Sequence, residues 1–215
     1  DKRLHRVGWG PGEPRRRTTP AYWAKATAWQ VRAARAGRRY RVFCASLADV
    51  FDKEVPAEWR LELFQLIDMT PNLDWLLLTK RIGNAQEMFD ASHWRGRPPQ
   101  NVWLGATVVT QAEAERDIVK LLLTNARTTF LSCEPLLEPV NLTRWLADLD
   151  WVIVGGESGS HARGMNIAWA LDIAHACRQA GTAFFMKQGS QHNWQHWKDI
   201  STWPAPLRVR EFPRV

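Results

Sequence analysis

Asp49, Lys80, Arg81, Glu134, Glu157 and Lys187 carry the charged chemistry of this chain, and each stands at or just past the end of an apolar run. Tyr40–Ser46 (YRVFCAS) is followed by Asp49. Trp75–Arg81 (WLLLTKR) ends Thr79-Lys80-Arg81, and Val102–Val108 (VWLGATV) carries Gly105 and Thr107. Thr129–Pro135 (TFLSCEP) ends Ser132-Cys133-Glu134-Pro135, Trp151–Gly159 (WVIVGGESG) ends in a Gly-Gly-Glu-Ser-Gly turn with Arg163 beyond it, and Ala183–Gly189 (AFFMKQG) ends Lys187-Gln188-Gly189. Asp49, Glu134 and Glu157 are the candidate catalytic carboxylates, able to move a proton or position a reacting group. Ser46, Thr79, Lys80, Arg81, Thr107, Ser132, Gly155, Gly156, Ser158, Arg163, Lys187 and Gln188 are the candidate ligand contacts. Two cations beside a hydroxyl suit a carboxylate or phosphate. Paired glycines let a ligand approach the backbone, and a carboxylate after them can hold an amine. The charged ends are expected to converge on one cavity that takes a small molecule with amine and carboxylate, or a phosphate.

Such convergence needs a scaffold that places all these ends on one side. The six runs are nearly continuous in apolar residues rather than alternating, which is the pattern of parallel strands buried on both faces. Helical patterns lie between them. Pro56–Met69 opens with proline and spaces Trp59, Leu63, Leu66 and Ile67 helically. Gln111–Leu123 follows Thr110, an N-cap residue, and Ile167–Ala180 stops at Gly181, a C-cap glycine. Ile82–Phe89 and Asn141–Leu149 are weaker helical patterns. Strands alternating with helices predict an α/β fold, a partial TIM-type parallel βα barrel of about six units with chemistry at the strand C-termini. The expected organisation is a basic extension over 1–39, the barrel over 40–190 and a tail over 191–215 packed on it. Both extensions read as loop-rich. Trp75, Trp103 and Trp151 start strands and are expected to pack; Trp194, Trp197 and Trp203 are expected to pin the tail.

The formal charge of +7 is uneven, because residues 1–41 hold 12 of the 29 Lys+Arg and 2 of the 22 Asp+Glu. Arg15, Arg16, Arg17, Arg38 and Arg39 are its densest parts and the candidate nucleic-acid contacts. The three cysteines, Cys44, Cys133 and Cys177, show no disulfide framework and no CxxC metal site, and no metal ligands are assigned. No apolar run approaches the roughly 20 residues that span a bilayer, and the first residues do not form a signal peptide. A reducing, cytoplasmic setting without membrane contact is the expectation.

The series VFCASLADVFD, LLLTKR, NVWLGATV, FLSCEPLL, DWVIVGGESG with Arg163, and FFMKQGS resembles a family of phage-encoded and bacterial radical-SAM-like proteins, over about Arg41 to Gly189. The resemblance implies a partial βα barrel. It also implies S-adenosylmethionine and a [4Fe–4S] cluster in the full-length protein, and a distant likeness to spore photoproduct lyase-type enzymes that repair or modify nucleic acid. That family carries a CxxxCxxC-type loop before the part seen here. This chain has none, and a cluster needs thiolates grouped on a loop, so this chain alone supports no cofactor. Either the cysteine segment lies upstream of Asp1 or this member has no cluster, and a start at Asp1 rather than methionine favours the first. Val108-Val109 stand where the family carries an acidic residue. Gly155-Gly156-Glu157 falls on a late strand, whereas the amine-binding Gly-Gly-Glu of radical enzymes falls on an early one. The expected function is a radical-SAM-like enzyme acting on nucleic acid or nucleotides. The rivals are a non-catalytic, phage-type nucleic-acid-binding barrel module and a cluster-free barrel enzyme acting on a phosphorylated small molecule.

Overall fold

The computed structural model describes residues 12–44, 48–193 and 196–214. Among them α1 (Pro20–Arg35), β1 (Tyr40–Cys44), α2 (Ala57–Asp68), β2 (Leu73–Thr79), α3 (Ala85–Asp90) and β3 (Val102–Thr107) lead into α4 (Gln111–Leu122), β4 (Thr128–Cys133), β5 (Trp151–Gly155), α5 (Ile167–Ala180) and β6 (Ala183–Gln188). The strands lie side by side in chain order, and the pairings β1–β2, β4–β5 and β5–β6 are parallel. Parallel strands in chain order with helical crossovers are the arrangement of a TIM-type barrel, here a partial one. β2 to β5 are buried on both faces, as their continuous apolarity predicts. The outermost strand β1 alternates instead between half-buried and exposed positions. No helix among the described residues is long and apolar enough to cross a membrane.

The chain forms two compact units, Asp1–Trp103 and Leu104–Val215. In the first, the extension expected to be loop-rich contains the 16-residue helix α1. Its arginines and tryptophans obscure a run with six alanines, the strongest helix formers, behind Pro20 in the first turn. Ala26 and Ala33 are its buried positions, and Gln30 Oε1 accepts a 2.8 Å bond from Asn72 N just before β2. Helix α2 starts one residue later than its proline suggests, with Pro56 at the N-cap. Its buried seam is Arg60, Phe64 and Ile67, with Trp59, Leu63 and Leu66 half-buried beside it. Arg60 turns inward because its guanidinium donates to the carbonyls of Val50, Asp52 and Val55 at 2.9, 3.0 and 3.3 Å, closing the β1–α2 loop. Phe64 stacks on Trp94 at 4.0 Å, and Phe51 meets Phe89 edge-on at 5.4 Å. The weak pattern at 82–89 becomes a 3-10 turn, Ile82–Asn84, followed by α3. Trp75 and Trp103 are buried, as expected.

In the second unit, α4 opens on Thr110, whose hydroxyl accepts from Glu113 N. Helix α5 runs from the Asn166 cap to Gly181, which takes the left-handed φ of 77° that ends it. The Asn141–Leu149 pattern yields only a 3-10 turn at Leu146–Asp148. Asn141 Oδ1 instead binds Thr143 N at 3.0 Å, a local turn that competes with helix. The tail runs antiparallel along β6, with Met186 N bonded to Val209 O and Glu211 N to Phe184 O, both at 2.9 Å. It covers an edge that would otherwise be open for pairing. Trp203 is buried, and Phe212 packs 5.1 Å from Trp151. Trp194 lies outside the described residues.

Candidate functional site at the strand ends

In the first unit, Asp49 follows β1 and faces the end of β2. Its carboxylate accepts from Thr79 Oγ1 at 2.7 Å, from Phe51 N and Lys80 N at 3.0 Å, and from Arg81 Nη1 at 3.2 Å. Buried Thr79 in turn accepts from Arg81 N at 2.8 Å. Arg81 reaches on to Asp52 at 3.4 Å, and Arg15 reaches the same carboxylate at 2.8 Å. Burial opposes the ionisation of Asp52, but the bond from Glu54 N and the guanidinium groups of Arg81 and Arg15 outweigh it and hold its carboxyl below the usual range. Lys80 is exposed, and its ammonium has no hydrogen bond or ion pair among the described residues. Asp49, Thr79 and Arg81 are therefore brought together in a network whose acceptors are filled from within. Asp52 was not a sequence candidate. Its spacing of three from Asp49 is the only hint, and that spacing is common in loops.

In the second unit, Glu134 leaves β4 beside the ends of β5 and β6. Ser132 Oγ donates to its carboxylate at 3.2 Å, and Lys187 Nζ pairs with it at 2.7 Å. A methyl group on Gly155 would stand 2.8 Å from Glu134 Oε2, so the missing side chain of Gly155 makes room for the carboxylate. Gly156 has a different reason for being glycine: a methyl there would lie 2.4 Å from Ser190 N. Gln188 Nε2 donates to Gly156 O at 2.9 Å and holds that approach. The side chain of Glu134 is 15% exposed and that of Lys187 is 54% exposed, so the pair reaches solvent through the lysine.

Glu157 does something else. Arg163 grips its carboxylate with Nε at 2.8 Å, Nη2 at 3.0 Å and its backbone N at 2.8 Å. These bonds hold the Glu157 carboxyl down at about 2. Ser190 Oγ donates to Arg163 O at 2.6 Å, and Gln191 N to Glu157 O at 3.0 Å, tying this loop to the segment after β6. Ser158 is exposed, and Thr107 is half-buried at the end of β3. Of the charged ends, the structure thus joins Asp49 with Lys80 and Arg81, Glu134 with Lys187, and Glu157 with Arg163. Ser46 lies outside the described residues.

Of the arginines read as nucleic-acid contacts, Arg15, Arg17 and Arg39 have acidic partners. Arg15 binds Asp52 and Glu54, Arg17 forks onto Glu62, and Arg39 binds Asp74 at 2.7 Å. Arg38 lies over the Tyr40 ring at 5.2 Å. The cysteines do not fit an iron–sulfur cluster. Cys44 ends β1 half-buried, Cys133 is buried in β4 and Cys177 is buried in α5. Burial pushes the Cys133 thiol up and the Cys177 thiol to about 12, away from the thiolate that a metal needs.

A family model described as "Protein of unknown function (DUF5131)" matches residues 2–205, and the chain belongs to that family. No curated protein and no solved structure matches it.

Proposed function

We propose that this family member is a radical-SAM-like βα-barrel enzyme acting on a nucleotide or nucleic acid, in which residues 104–215 hold a small zwitterionic ligand at the ends of β4, β5 and β6. The supporting observation is the Glu134–Lys187 pair seated against Gly155. A ligand amine replaces the ammonium of Lys187 on Glu134, and a ligand carboxylate replaces Glu134 on Lys187, so a molecule bearing both keeps every charge paired. The methionine part of S-adenosylmethionine has that chemistry. Glu134, rather than Glu157, is then the amine ligand, because the Arg163 fork already occupies Glu157. Bound there, S-adenosylmethionine would supply a sulfonium, whose one-electron cleavage would need an electron from a cluster held by thiolates other than Cys44, Cys133 and Cys177. Ser132 orients the carboxylate that receives the amine. Because the cysteines of this chain do not fit a cluster, a second reading has an observation in its favour: a cluster-free barrel enzyme whose Lys187 holds the phosphate of a small molecule.

Calorimetric titration separates the two. S-adenosylmethionine is expected to bind and to lose about tenfold or more in affinity in both Glu134→Gln and Lys187→Met, the size of one charge-assisted bond. Phosphate binding that needs Lys187 but is indifferent to Glu134→Gln supports the second reading. Binding of neither ligand, or binding that ignores both substitutions, overturns the site.

A further inference from the structure

We infer that the flank of α1 beside its buried Ala26–Ala33 seam is a docking surface for single-stranded nucleic acid, formed by Tyr22, Lys25, Trp29, Arg32 and Arg35. The inference concerns residues 1–103 alone and does not rest on the strand-end site. Positions 22, 25, 29 and 32 are spaced by three and four, so they share one face of the helix, and Arg35 lies next to Arg32 on the more exposed side. Aromatic rings and cations alternate along that face. Tyr22 is 55% exposed with Lys25 Nζ 4.8 Å from its ring centre, Trp29 is half-buried, and Lys25, Arg32 and Arg35 are exposed. The helix contains no Asp or Glu. Lys25, Arg32 and Arg35 have no carboxylate partner among the described residues, unlike Arg15, Arg17 and Arg39, whose charge acidic side chains meet. Among the described residues, the cations of α1 are thus left open to a partner, whereas Arg15 and Arg17 are already met by carboxylates.

Charge complementarity names the occupant as a polyanion, and the rings narrow its class. Flat exposed aromatics flanked by cations stack on bases while the cations follow phosphates, the arrangement that holds single strands without base readout. A membrane surface fits less well. An interfacial helix inserts a broad apolar face, whereas the buried Ala26 and Ala33 of α1 are already turned to its own unit and Val31 is its exposed branched aliphatic side chain.

The test is fluorescence anisotropy of the whole chain with a labelled single-stranded oligonucleotide, a duplex of the same sequence and anionic phosphatidylserine vesicles. Three cations on a single strand give a log–log salt slope of about −2, about a 20-fold loss between about 50 and 200 mM salt. The triple variant Lys25→Ala, Arg32→Ala, Arg35→Ala is expected to lose at least about tenfold in affinity and most of the slope. It should keep its helical circular dichroism, because alanine favours helix and no ion pair is broken. Tyr22→Ala is expected to weaken single-strand binding about tenfold, as loss of one stacked base does. Arg15→Ala should leave affinity unchanged. The inference is overturned by absence of oligonucleotide binding, by binding that the triple variant retains, by tighter duplex binding indifferent to Tyr22→Ala, or by binding to the vesicles alone.

Discussion

Asp49 and Glu134 are both carboxylates at the ends of parallel strands, both with a cation and a hydroxyl nearby, and the structure treats them differently. Asp49 accepts from two backbone amides, a buried threonine and an arginine. Nothing a ligand brings would improve on those donors, and removing any one leaves a polar group unsatisfied. Glu134 accepts from a serine at 3.2 Å and from a lysine that is itself 54% exposed. The lysine is long, solvated at its tip and replaceable. On the proposed reading, a titratable residue at a strand end is a structural clamp or a ligand group according to how many of its partners are backbone.

Asp49→Ala is expected to separate the two carboxylates most visibly. Losing a nearly buried carboxylate with four donors is expected to cost about 3–5 kcal/mol, the range for breaking a buried charged pair, read as the shift of a urea unfolding midpoint. Lys187→Ala, the matching change at the other cluster, is expected to cost about 1 kcal/mol or less because its pair is partly solvated, while ligand affinity collapses. If the two substitutions cost the same stability, the distinction between clamp and ligand group fails.

The next contrast lies between adjacent glycines. In Gly156→Ala the new methyl meets backbone, 2.4 Å from Ser190 N and 2.6 Å from Gly189 C, so strands or loop must move. A cost of about 2–3 kcal/mol is expected, in the range of overpacking. In Gly155→Ala the nearest atom is the end of the Glu134 side chain at 2.8 Å, which can rotate away. Stability should change by less than about 1 kcal/mol, while the carboxylate swings off Lys187 and ligand affinity falls. Equal loss of stability at both positions would mean that Glu134 is held as rigidly as the backbone.

Much of this fold was legible because its signals are local. Apolar runs gave the order of β1 to β6, and Thr110 and Gly181 marked the ends of α4 and α5. The misses share a cause in partners far along the chain. Arg60 looks like a surface residue until the carbonyls of the β1–α2 loop are placed around it. Arg15 looks like a free cation until Asp52 is placed 37 residues away in sequence and in contact. The site followed the same rule. Residue types at the strand ends pointed to Asp49, Glu134, Glu157 and Lys187, but which donors meet each carboxylate is set by the fold. Glu157 shows it best, because a Gly-Gly-Glu turn says nothing about an arginine six residues on closing over the carboxylate.

That arginine supplies the smallest expected effect. Arg163 donates two side-chain bonds and one backbone bond to Glu157, and they hold its carboxyl at about 2, below its ordinary 4.5. The unfolded chain binds the proton more tightly than the folded one, so the pair favours the folded loop fully above about pH 4.5 and loses that contribution as pH falls toward 2. Both side chains reach solvent, so the loss belongs to the loop over 156–165 rather than to global unfolding. Carboxyl carbon shifts followed by NMR should place the Glu157 midpoint near 2 in the native protein, and close to about 4.3 in Arg163→Ala. Over the same acid range, amide exchange should quicken in that loop before it does in β5. A Glu157 midpoint already near about 4.3 in the native protein would mean that the carboxylate is not held by Arg163. It would then be as available to a ligand amine as Glu134, and the division between the two glutamates would have to be redrawn.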